Sequence, residues 1–172
     1  IVAYKELCRL EIEAIQEYYQ TRMPMLSIHL DRFYGIEIDD FPCEIARLSL
    51  WLIQHQMTLE CKKFGIDTNP TLPLSSTGNI VCGNALRMNW NDVCPVEESD
   101  IVYVCGNPPF AGHQTKTESQ RMDIQTVFNN RIYGTTDLDY VSCWFIKGSD
   151  FIRGNKNRKL GLVSTNSVNQ GK

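Results

Sequence analysis

Apolar residues recur at helical spacing from the start of the chain. Leu7, Leu10, Ala14 and Tyr18 fall on one face, with Glu6, Arg9, Glu13 and Glu17 on the other. The pattern predicts an amphipathic helix over 1–20. Phe33-Tyr34-Gly35-Ile36-Glu37-Ile38 is aromatic and β-branched and predicts a strand. It runs into Asp39-Asp40-Phe41-Pro42, where an Asp suits a helix cap and a Pro suits the first turn. The helix that follows, 42–63, carries Ile45, Ala46, Leu48, Leu50, Trp51, Leu52 and Ile53 almost all the way round. Such a helix is expected to be buried on more than one side.

Gly65, Asn69, Pro70, Pro73 and Gly78 mark 64–78 as loop. Ile80-Val81-Cys82 predicts a short strand closed by Gly83-Asn84. Ile101-Val102-Tyr103-Val104-Cys105 is continuously apolar, the pattern of a parallel strand covered on both faces. Residues 111–136 are polar and mixed, with one short helix around Ile124, Val127 and Phe128. A connection that long in a compact domain is usually functional or mobile. Asp137 to Ile152 predicts a helix with Val141, Trp144, Phe145 and Ile152 inward, and Leu160 to Ser164 a last strand after a basic turn. The alternation, without internal repeat, predicts an α/β fold with a mostly parallel sheet flanked by helices.

Length and composition add bounds. With 172 residues the chain suits one domain, and with 42% hydrophobic and 22% charged residues it is ordinary globular material. No apolar run approaches the about 20 residues that span a membrane. The formal charge of −3 is unlike that of a small domain living on nucleic-acid backbone, so such a partner would have to be gripped locally or by other sequence. Seven cysteines include no C-x-x-C pair, and no two histidines have ligand spacing, so no metal is expected. Most of the cysteines sit in apolar runs, as reduced thiols of a cytoplasmic protein would.

In open parallel sheets ligands bind at the carboxyl ends of strands. Three such ends carry polar loops: Glu37 with Asp39, Gly83-Asn84, and Asn107-Pro108-Pro109-Phe110. For the first two, a helix cap and a turn are the plainer accounts. The third is more specific. Two prolines stiffen the loop and remove its donors, so the Asn107 side-chain carbonyl and the Pro108 backbone carbonyl can converge as two acceptors beside the flat face of Phe110. Two acceptors and a stacking ring suit a planar amino group on an aromatic base. Accepting both of its hydrogens draws the nitrogen toward tetrahedral geometry and frees its lone pair for attack, so positioning and electrostatics do the catalytic work.

Gly106-Asn107-Pro108-Pro109-Phe110 after an apolar strand resembles the N-P-P-[FY] motif of S-adenosyl-methionine-dependent amino-methyltransferases. Further segments are similar to that family in order and spacing: residues 33–39 to its acidic strand, Gly83-Asn84-Ala85-Leu86 to the loop that contacts the cofactor adenine, and 139–145 and 160–167 to the helix and strand after the catalytic loop. The phrases at 44–52 and 83–90 look most like the methyltransferase region of type IIG restriction–modification enzymes, which modify adenine N6 in DNA.

The resemblance implies a Rossmann-like class I methyltransferase fold, with Asn107, Pro108, Pro109 and Phe110 as catalytic residues. It implies Glu37, Ile38, Asn84, Ala85 and Tyr140 as cofactor-binding positions, Glu37 meeting the ribose hydroxyls of S-adenosyl-methionine. It also implies double-stranded DNA with a flipped adenine as partner. Asn84 stands where the family often has Asp, which leaves that contact neutral.

Residues 1–172 then correspond to part of a catalytic domain. Its first, Gly-rich strand and the target-recognition domain lie outside this sequence, so a gap in mid-sheet and weak or undetectable cofactor binding by the isolated, inactive piece are expected. Lys116, Arg121 and Arg131 are candidates for phosphate contacts, although a solvated loop with scattered charges accounts for them more simply. No nuclease-type carboxylate cluster is evident. The same loop serves RNA adenine and protein-glutamine methyltransferases, whose targets also present a planar amino group, and a non-catalytic scaffold could keep the fold.

Overall fold

Four short strands, paired two by two and parallel within each pair, carry the architecture of the computed structural model, which describes residues 1–18, 25–68, 79–112, 115–129 and 138–166. The chain divides into two compact units, Ile1–Ala85 and Leu86–Lys172. In the first, α1 (Val2–Tyr18) precedes β1 (Tyr34–Glu37), α2 (Asp40–Lys63) and β2 (Asn79–Cys82). Strands β1 and β2 run in register from Tyr34 opposite Asn79 to Glu37 opposite Cys82. In the second, α3 (Trp90–Val93), β3 (Val102–Gly106), α4 (Glu118–Phe128) and α5 (Ser142–Ile152) precede β4 (Arg158–Leu162). Strands β3 and β4 pair from Val102 opposite Arg158 to Gly106 opposite Leu162. The α/β class and the parallel pairing agree with the expectation from the sequence.

The core of the first unit is built from α1 (Tyr4, Cys8, Ile12, Ile15), α2 (Leu50, Ile53, Met57, Cys61) and the connecting residues Leu26, Leu30 and Ile66. The Tyr4 ring meets Phe33 edge-on at 5.2 Å between centroids. Glu11 on α1 holds the following segment, its carboxylate accepting from Ser27 N at 2.7 Å and Ile28 N at 2.9 Å. The second core gathers Leu86, Ala111, Ile124, Val127, Phe128, Tyr140 and Cys143. Helix α4 starts at a capping box in which Thr117 and Gln120 satisfy each other's backbone donors. Helix α5 packs on β4 so closely that a Cβ on Gly148 would lie 2.7 Å from Leu160 Cδ1.

Several expectations from the pattern differ from what is observed. Helix α1 exposes Leu7, Leu10 and Tyr18 and buries Tyr4, Cys8, Ile12 and Ile15 instead. Both sets have helical spacing, so periodicity identified the helix and packing chose the face. Helix α2 is buried along one side only. Its neighbours α1, β1 and β2 cover Cys43, Leu50, Ile53, Met57 and Cys61, while Ile45, Leu48 and Leu52 are exposed. Asp39 holds the N-cap position of α2, but its side chain makes no capping bond.

Strand β3 is not covered on both faces. Tyr103 and Cys105 point to solvent, because alternate residues of a strand leave on opposite sides and only one side is packed. Helix α5 begins at Ser142, not near Asp137, with Cys143, Gly148 and Phe151 buried and Trp144, Phe145 and Ile152 half-buried. Strand β4 begins two residues earlier than the pattern suggests. Much of the 64–78 loop lies outside the described residues.

Burial sets the alkaline limit of this fold. It pushes the Cys8 thiol up to about 11 and Cys143 up to about 12, and raises the Tyr4 phenol further. These groups are held neutral in the fold, whereas an unfolded thiol ionises near its ordinary value of 9.0. Their contribution to stability is therefore complete below about pH 9 and is lost as pH rises through the folded values. Urea-denaturation midpoints followed by circular dichroism are expected to stay level from about pH 7 to 8.5 and to fall progressively above about pH 9.

Candidate functional site

Each unit carries part of the predicted chemistry at the carboxyl end of a strand. In the first, Glu37 is the last residue of β1 and is half-buried. Its Oε1 accepts from the N–H of Ile38 at 2.8 Å, and its backbone carbonyl accepts from Gly83 N at 2.7 Å. The second bond ties the turn after β2 to the end of β1, so Glu37, Ile38, Asn84 and Ala85 are gathered at one strand rim. Ile38 is exposed, and Asn84 and Ala85 are half-buried. Cys82 donates to Asp40 Oδ1 at 3.0 Å, and that hydrogen bond leads the causes that push its thiol up to about 12.

Among the described residues no cation pairs with Glu37. Its second carboxylate oxygen is therefore available to hydrogen-bond donors beside the exposed Ile38.

The second unit presents the loop after β3. Asn107 and Pro109 are exposed, Pro108 is buried and Phe110 is 45% exposed. Among the described residues no hydrogen bond engages the Asn107 amide, so its acceptor is available to a ligand. The loop is held at both ends. Gly106, just before it, accepts from Val163 N at 2.9 Å, which extends the β3–β4 pairing past the strand. Ala111, just after it, is buried and bonded on both sides: its N–H donates to Asp139 Oδ1 at 3.2 Å and its carbonyl accepts from Tyr140 N at 3.0 Å. With two prolines between these fixed points, the segment has few torsions left.

Tyr140 itself lies in the core. Its ring meets Trp144 edge-on at 5.1 Å, and its hydroxyl donates to Asp123 Oδ2 at 2.7 Å. Asp123, buried on α4, also accepts from Arg87 Nε at 2.7 Å, and Arg87 reaches Ser119 as well. This pairing raises the Arg87 pKa. Lys116 is not a solvated loop cation. Its Nζ is buried and donates to the Leu138 carbonyl, because the chain folds the 116 and 138 segments together. Arg121 is exposed and pairs with Glu118 at 3.4 Å, and Arg131 lies outside the described residues. The sequence pattern overlooked this polar layer. Its legible signals were an Asp and a Lys beside apolar positions of a short helix.

The family model for the MmeI DNA-methyltransferase domain matches residues 1–172. The chain belongs to that family. It is 42% identical over 99% of its length to DNA methyltransferase A of Bacillus subtilis (strain 168), of which it covers 20%. It is 34% identical over 62% of its length to a putative type II restriction enzyme and methyltransferase of Methanocaldococcus jannaschii, of which it covers 9%.

The solved structure of the type IIL restriction–modification enzyme MmeI in complex with DNA matches 99% of the chain with a TM-score of 0.83 at 37% identity. The match covers 23% of that chain, so the sequence spans about a quarter or less of each of these relatives. The resemblance to restriction–modification methyltransferases and the Rossmann-like character of this MmeI-type domain both stand.

The Tyr140–Asp123 bond is open to a direct test. Tyr140→Phe removes the hydroxyl and leaves one buried carboxylate contact unmade, which is expected to lower stability by about 1–2 kcal/mol in urea denaturation.

Proposed function

We propose that this domain transfers a methyl group from S-adenosyl-methionine to the exocyclic N6 of an adenine flipped out of double-stranded DNA, as the modification arm of a restriction–modification system. The observation that carries the proposal is the loop after β3. An available Asn107 amide and a partly exposed Phe110 ring are mounted on two prolines whose flanks are both hydrogen-bonded to the scaffold.

Asn107 and the Pro108 carbonyl accept the two hydrogens of the target amine, and Phe110 stacks on the base. With both hydrogens engaged, the nitrogen lone pair points away from the loop. That alignment, more than general-base strength, lowers the barrier. Pro109 keeps the two acceptors in register. Glu37 receives the cofactor's ribose hydroxyls, Ile38, Asn84 and Ala85 border its base, and Tyr140, the remaining cofactor position that the family resemblance implies, is held by its bond to Asp123. When bound, the cofactor supplies an electrophilic methyl on a sulfonium sulfur, and the proton displaced from the amine leaves to solvent past the two acceptors.

A carboxamide or an RNA adenine also presents a planar amino group, and the loop by itself accepts either. The family of MmeI DNA-methyltransferase domains, the relative described as DNA methyltransferase A, and the MmeI structure determined with DNA favour DNA. Seven free thiols fit the reducing cytoplasm in which such an enzyme would meet it. Among the described residues, no helix is long and apolar enough to cross a membrane.

Asn107→Ala in the full-length protein is expected to reduce methyl transfer to adenine-containing duplex by about 10³-fold or more. An unshifted melting temperature should accompany the loss, since the Asn107 amide makes no hydrogen bond among the described residues. Transfer at the parental rate would exclude the catalytic assignment, and transfer to RNA or to a glutamine peptide in preference to duplex would reassign the substrate.

A further inference from the structure

We infer that Asp139 is a positioning residue for methyl transfer, which sets the aim of Asn107 and Phe110 without touching substrate or cofactor. The inference rests on the proposed amino-methyltransferase function of the loop after β3. Three segments meet at this one carboxylate. Oδ1 accepts from Ala111 N at 3.2 Å and from Val141 N at 3.2 Å, and Oδ2 accepts from Thr165 Oγ1 at 3.5 Å. The Asp139 carbonyl in turn accepts from Ser142 N at 3.0 Å and from the Ser142 hydroxyl at 2.6 Å, holding the turn that leads into α5.

The first contact matters most for chemistry, because Ala111 directly follows Phe110. On the other flank, Gly106 is held by β4 through Val163 N. Two prolines cannot donate, so residues 107–110 have few backbone donors with which to anchor themselves, and their orientation is passed to them from the ends. The upstream end is fixed by ordinary strand pairing. The downstream end is held twice, by the Tyr140 N–H on the Ala111 carbonyl and, at the N–H next to Phe110, by a side chain 28 residues further along. A shift of about 1 Å at reacting groups costs on the order of 100-fold in rate, so releasing Ala111 should act on turnover more than on binding.

Three variants of the full-length protein, with steady-state methylation of duplex, separate this role from a merely structural one. Asp139→Ser keeps a short acceptor for the local turn at Val141 but is too short to hold Ala111. It is expected to lower kcat by about 100-fold, with KM for S-adenosyl-methionine and for DNA within about threefold of the parent. Asp139→Asn keeps an oxygen for both N–H groups and is expected to recover kcat to within about fivefold of the parent. Asn107→Ala is the reference for the loop itself.

Full activity of Asp139→Ser, or equal losses in Asp139→Ser and Asp139→Asn, would overturn the positioning role while Asn107→Ala remained inactive. Full activity of Asn107→Ala would instead overturn the proposed function beneath it. A drop in melting temperature of Asp139→Ser with kcat preserved at permissive temperature would assign Asp139 to stability alone, and so would also overturn the inference.

Discussion

The chemistry ascribed to this domain depends on a four-residue span that has little means of holding itself in place. Residues 107–110 contain two prolines, and among the described residues the Asn107 side chain has no hydrogen-bond partner. The solution is external. Strand pairing is prolonged to Gly106 on one side, and Ala111 is bonded through both its N–H and its carbonyl on the other. A rigid span between two fixed ends exposes an amide and a ring at low entropic cost, because the prolines have already removed the freedom that binding would otherwise have to freeze.

The same logic explains the buried polar layer beneath that span. Asp123, Tyr140 and Lys116 are buried, and each has a partner: Tyr140 and Arg87 on Asp123, and the Leu138 carbonyl on Lys116. In a low-dielectric interior such groups are costly unless satisfied, and once satisfied they permit few alternative packings. The layer therefore locks α4 to the turn before α5, and that turn is where Asp139 and Tyr140 reach Ala111. Charges that a linear reading would give to solvent or to DNA phosphates thus serve the geometry of the loop.

Much of this was legible in advance. The N-P-P-F loop, the acidic residue ending β1 and the Gly-Asn after β2 were each located by local chemistry. A strand must end where the apolar run gives way, and a parallel strand ends at a ligand rim. Helices α1 and α2 were equally plain from periodicity. The face that α1 buries was not, because Tyr4-Cys8-Ile12 and Leu7-Leu10-Ala14 satisfy the same period and only packing partners distinguish them. Nor was the late start of α5. Asp139 forms a side-chain-bonded turn there in place of the first helical residues, and its partner at 111 is invisible to any short window.

By itself, the sequence determined the class of fold, the parallel strands, the stiff acceptor loop and its ring, and the family to which these belong, because each rests on neighbours within a few residues. Tertiary structure decided which helix faces are buried, that Lys116 and Asp123 are interior, and that Asp139 closes on the end of the two-proline span. Those outcomes are contacts between residues distant in the chain, selected by the cost of leaving a buried donor or charge unpaired, and no local pattern encodes them.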